Sequence, residues 1–155
     1  MTEIEARVAA AQATLDEFRE RRFAIGRSDC AAIVKFNCRA MGCPIRGVSK
    51  AGSYRTLLGM KRALRRLGAK TIGDVVARQK GWLEIAPASC WPGDIVELEG
   101  DDGPDGIGAL AVVLTNGRCV AYHADHEDGA AVIQPGIYRR AWRLPWAPAK
   151  PGKAA

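Results

Sequence analysis

The chain has 155 residues, 48% of them hydrophobic and 26% charged, with a formal net charge of +6. That length suits one domain with a buried core, and the composition excludes a low-complexity or disordered polymer. No apolar run approaches the roughly 18 residues that a membrane span needs. The opening Met1-Thr2-Glu3-Ile4-Glu5 lacks the basic-then-apolar pattern of a signal peptide, so the expectation is a protein made and first held in the cytoplasm. Cys30, Cys38, Cys43, Cys90 and Cys119 form no CxxC pair, which argues against a disulfide framework.

Thr2 and Glu5 read as a capping box, and Ile4, Val8, Ala11, Leu15 and Phe18 follow at helical spacing. Residues 1–21 are therefore expected to be an amphipathic helix lying on its own domain. Ser28 and Asp29 then offer N-cap oxygens to a second helix that starts at Cys30, buries Ile33 and Val34, and stops at Gly42 and Pro44. After a Gly/Ser/Pro loop, Leu57, Leu58, Leu64 and Leu67 are the expected buried face of a third helix capped by Gly68. Thr71 to Gln79 reads as a shorter one.

Beyond residue 80 the pattern changes. Pro92-Gly93-Asp94 is a turn, and Ile95 to Leu98 is a strand candidate. An acidic, glycine-rich loop, Gly100 to Gly108, precedes the apolar run Leu110 to Leu114. Asn116-Gly117 turns it into Arg118 to His123. An acidic turn over Asp125 to Gly129 and short strands over Ala131 to Gln134 and Ala141 to Leu144 complete the body. Residues 147–155 read as a flexible tail. Helices first and an antiparallel meander second predict an α+β fold.

The basic group Arg55, Lys61, Arg62, Arg65, Arg66 and Lys70 has no interleaved aromatic residues, so an acidic protein partner suits it better than specific nucleic acid. Cys119, His123 and His126 match no zinc module, and no metal or cofactor is expected. Gly103 to Gly108 precedes a strand rather than a helix, so it is no phosphate loop. Cys30 has two readings. A thiol in the first helical turn is placed for nucleophilic chemistry by the N–H groups and the dipole. From this stretch alone the plainer reading, a small hydrophobe at a helix start, is the favoured one.

Ser28-Asp29-Cys30 with its apolar helix resembles the Asp-Cys motif of the NlpC-type, papain-like cell-wall cysteine peptidases. Pro92-Gly93-Asp94-Ile95-Val96 resembles their Gly-Asp-hydrophobic turn. Ala109 to Gly117 and Val120-Ala121-Tyr122-His123-Ala124 resemble their two site-bearing strands. Arg22 to Gly26 and Ala141 to Leu144 are more similar to an uncharacterised branch found in phage tail gene clusters. The resemblance implies a papain-like domain over 22–146 with Cys30 as nucleophile. It also implies a setting in the virion tail, tail-tip or hub proteins as partners, and peptidoglycan stem peptides as possible ligands. It places Ala109 where the family has its general-base histidine. Strand alternation then offers His123 as a displaced base, on a face with Cys119 and Ala121 expected to look toward Cys30. Asp29, Trp91, Asp94 and Tyr122 are the accompanying candidate binding residues. The expectation is a tail component with a degenerate thiol site. An active hydrolase using Cys30 and His123, and a bacterial binding module unrelated to phage, are the alternatives.

Overall fold

A computed structural model describes residues 1–147, so the expected tail lies, apart from Ala147, outside the described residues. The fold is α+β: four helices packed on a six-stranded antiparallel sheet. None of the described helices is long and apolar enough to cross a membrane.

The capping box at Thr2 and Glu5 forms and opens α1 (Glu3–Phe18). Its buried stripe is Arg7, Ala10, Ala11, Thr14 and Phe18, rotated from the one the periodicity predicts, and Ile4 is left 49% exposed. Small residues let α1 lie close on the core, and Arg7 is drawn inward by partners remote in sequence. Its Nη1 stands 2.9 Å from Asp94 Oδ1, and its Nη2 donates to the Leu144 carbonyl.

Asp29 caps α2 (Cys30–Ala40) by accepting from the Ala32 N–H at 2.9 Å. Thr56 caps α3 (Leu57–Arg66), and Thr71 caps α4 (Ile72–Ala77). In α3 the inward positions are Met60, Ala63 and Leu64, while Leu57 and Leu58 in its first turn stay exposed. The expected Leu57/Leu58 face is thereby corrected, because the i, i+3, i+4 row that meets the core begins one turn later.

The strands are β1 (Leu83–Ile85), β2 (Ile95–Leu98), β3 (Ala109–Val113), β4 (Cys119–His123), β5 (His126–Ile133) and β6 (Tyr138–Arg143). Their order across the sheet is β1-β6-β2-β3-β4-β5. Two expectations change here. The short edge strand β1 gives no periodicity to read, and β5 begins at His126 inside what reads as an acidic turn. The β4–β5 turn is only Ala124-Asp125, since His123 already pairs with His126.

Both faces of the sheet are covered. The inner face gives Ile95, Leu110, Val112, Val120 and Trp142 to a core shared with Phe18, Ile33, Val34 and Leu64. The outer face buries Val96, Leu98, Ala111, Val113, Cys119, Ala121 and Ala141 under Ile85, Cys90, Ile133 and Tyr138. Burial on both sides explains the nearly continuous apolar runs of β2 and β3.

Two ion clusters pin the helices to the sheet. Buried Asp94 receives Arg7 and Arg143, the latter at 3.2 Å, and also accepts from the Trp91 N–H at 2.8 Å. Buried Glu97 receives Arg140 Nε at 2.8 Å and the Gly73 N–H at 3.1 Å, and Arg140 reaches on to Asp74. The acidic loop before β3 is held as well, because Arg139 donates to the carbonyls of Gly103, Pro104 and Gly106.

Candidate functional site

Around the start of α2 the chain folds back on itself. Gly26 adopts φ +83°, and its N–H donates to Asp29 Oδ2 at 2.8 Å while Oδ1 caps the helix. A side chain at Gly26 would run into the Tyr54 carbonyl, 1.8 Å from where its Cβ would sit, so only glycine lets the Tyr54 segment close over this turn. Tyr54 is half-buried beside Asp29 and Cys30. Burial first, and then those two neighbours, push its hydroxyl up to about 12. From the sheet side Tyr122 donates its hydroxyl to the Arg21 carbonyl at 2.8 Å and lies near Ser28 and Asp29. Phe23 packs against its ring with centroids 5.4 Å apart.

Cys30 thus opens α2 on the inner face of the sheet, as its N-cap pattern predicts. Its acidity is the reverse of what a helix start alone would give. Burial pushes the thiol up to about 11, and the Asp29 charge adds to this. Hydrogen bonding from the main chain of Leu110, Ala31 and Cys30 itself favours the thiolate but is outweighed.

The expected base is not brought to it. Cys119 and Ala121 lie in the outer-face core, so the face of β4 that looks toward α2 carries Val120 and Tyr122 instead. The expectation of a Cys119–Ala121–His123 face aimed at Cys30 is corrected: Cys119 and Ala121 point away from the helices, and the register shifts before His123, which is exposed. His123 sits at the exposed end of β4, where Nδ1 accepts from the Asp125 N–H at 3.1 Å. His126 is exposed in the partner strand. Ala109 opens β3 opposite Leu98 and shares the parity of Ala111 and Val113 on the outer face. The β3 residue whose main chain meets the thiol is Leu110, which is apolar and offers no base there.

Of the other candidates, Asp29 and Tyr122 do gather at Cys30. Asp94 and Trp91 do not. Asp94 is fully buried between Arg7 and Arg143, and Trp91 lies under the Arg143 guanidinium at 3.9 Å, so both act as clamps between α1 and the sheet. Tyr54 was missed because it lies in an aperiodic loop. The one signal for it is remote, the Gly26 turn with positive φ that it covers. Asn37, fully buried on α2, donates to the Gly93 carbonyl at 2.9 Å and leaves its Oδ1 without a protein partner. This ties the Gly93-Asp94 turn to the Cys30 helix.

A family model described as a domain of unknown function (DUF6950) matches residues 3–144, and the chain belongs to that family. No curated protein sequence matches the chain.

Proposed function

We propose that this DUF6950 chain is a binding component, built on a papain-like scaffold whose thiol site is retired. It would work within a larger assembly rather than by hydrolysis. The observation that carries this reading is the pairing of a thiol pushed up to about 11 with an apolar Leu110 across from it. Nucleophilic thiol catalysis needs the thiolate, and it needs a base within hydrogen-bond reach to make it. His123, exposed at the end of β4 with its Nδ1 engaged by its own turn, offers neither. The resemblance of the Asp29-Cys30 and Gly93-Asp94 motifs to NlpC-type enzymes supports the scaffold assignment. The similarity of Arg22 to Gly26 and Ala141 to Leu144 to a phage-tail branch supports a tail tip or hub as the setting. Tail proteins would then be the partners.

Hydrolysis of peptidoglycan stem peptides tests the reading directly. The expected outcome is no turnover above a Cys30→Ala control. Turnover abolished by both Cys30→Ala and His123→Ala would overturn it and make the pair catalytic.

A further inference from the structure

One turn past Cys30, α2 turns a different row of residues toward a cavity. Ala31 and Val34 form one wall, and Ala63, Val76 and Leu110 close the others around about 100 Å³ of apolar space. Among its lining residues Lys35 and Gly52 are exposed, and Ala51 and Tyr54 beside Gly52 are half-buried, so the mouth lies on this side. Protein interiors leave few voids larger than a water molecule, and an apolar cavity stays dry until an apolar group fills it. A space of roughly 150 Å³ holds a benzene ring, so this one suits an isobutyl-sized group better than a ring.

The mouth is cationic. Lys35 is exposed there, and the Arg66 guanidinium donates to the Ala51 carbonyl at 2.8 Å. The same guanidinium stands 3.7 Å from where a Gly52 Cβ would be. The surrounding half of the chain has the same sign: residues 1–82 carry 17 Lys and Arg against 7 Asp and Glu. Polar groups at the edge of an apolar pocket fix the orientation and class of what binds.

We propose that this cavity binds a short branched aliphatic carboxylate, with the aliphatic group inside and the carboxylate at the mouth between Lys35 and Arg66. The same chemistry is offered by a free acid and by the C-terminal leucine of a peptide. Cys30 does not line the cavity, so the inference stands whether or not the thiol is retired.

The test is titration of the full chain with isocaproate, isocaproamide, Gly-Gly-Leu and C-terminally amidated Gly-Gly-Leu, followed by methyl NMR and calorimetry. Saturable binding of isocaproate or of Gly-Gly-Leu is expected. It should be lost in Ala51→Leu, which blocks the mouth, and in Ala63→Leu, which fills the interior. Lys35→Gln should weaken it about fivefold, the effect of one solvent-exposed ion pair. The matching amide should show a larger deficit on the unaltered chain, because it loses the charge interaction with both Lys35 and Arg66. If Ala63→Leu does not fold, Ala51→Leu at the half-buried mouth carries the steric arm alone. Tighter binding of Gly-Gly-Leu than of isocaproate identifies a chain terminus as the source, and the reverse identifies a free acid. The proposal fails if neither carboxylate binds, if binding survives Ala51→Leu, or if the amides bind as well as the acids. A cavity that Ala63→Leu fills with a raised melting temperature and no ligand to lose would be a packing void.

Discussion

At Cys30 two influences of opposite sign meet. The main-chain N–H groups of a helix start favour the thiolate, while burial against Leu110 and the neighbouring Asp29 charge favour the thiol. Burial wins, with the thiol at about 11 against an ordinary value of 9.0. About a hundredfold less thiolate is therefore present at neutral pH than in a free cysteine. Iodoacetamide should label Cys30 in the native chain slowly, with a rate that rises toward pH 11. Rapid labelling that levels off below pH 8 would contradict this. Gly73 is a second position where one atom decides. An added Cβ would lie 2.0 Å from the Glu97 carboxylate, which is buried and held by Arg140 and cannot swing away. Gly73→Ala should cost about 2 kcal/mol, the range of overpacked interiors, read from urea unfolding. At this scale the sequence was only partly legible. Asp29 and Cys30 could be placed together from the N-cap pattern, whereas Tyr122 entered only through the resemblance and alternation set it on the face away from Cys30. His123 was assigned to the wrong side because alternation relates residues to one another without saying which face the helices cover.

Among the elements, α1 is joined to the sheet by the one buried arginine of its inner stripe. Arg7 bonds Asp94 and the Leu144 carbonyl, and it stacks at 5.8 Å from the Trp91 ring. Arg7→Ala would leave Asp94 buried with Arg143 as its remaining guanidinium partner. Removing one partner of a buried pair costs about 3 kcal/mol or more. The expected result is lower stability together with fast hydrogen exchange across α1, and exchange unchanged in α1 would show that the clamp is not what holds it. Such long-range pairing explains why the phase of α1 was misread, since nothing near residue 7 announces an acceptor at residue 94. The helix α2 was legible through its cap at Asp29, and α4 through the inward spacing of Ile72, Val75 and Val76. β1 was not legible, because three mostly exposed residues give no alternation to follow. The first half of β5 was taken for a turn because its residues are exposed, acidic and at the edge of the sheet.

Over the whole molecule, charge is divided between the layers. Against the cationic helical half, residues 83–147 carry 4 Lys and Arg and 10 Asp and Glu. The helical side should adhere to acidic surfaces in a salt-sensitive manner without reading nucleic-acid sequence. Mobility-shift assays at about 0.15 M salt should show no preference among DNA sequences, and a strong preference would refute this. The thiols set a further global property. Burial first holds Cys30, Cys43 and Cys90 up to about 11, above their ordinary 9.0. Groups with raised folded values bind protons more tightly in the native state. Their stabilising contribution is complete below pH 9 and is lost as pH rises through 11. The melting temperature should be level to about pH 8.5 and then fall, and replacing Cys43 and Cys90 by alanine should flatten that fall.

The place of β6 in the sheet has a consequence for synthesis. It lies between β1 and β2, and the residue after it, Leu144, receives the Arg7 guanidinium from the first helix. A ribosome that has released everything up to Gly136 still holds the strand on which both neighbours must pair. The helices can form as they emerge, but the sheet remains split, with β2 exposing an open edge. Closure therefore waits until β6 has left the ribosome. A nascent chain stalled before Tyr138 should be cut readily by protease, and one extended past Leu144 by a linker long enough to clear the exit tunnel should resist.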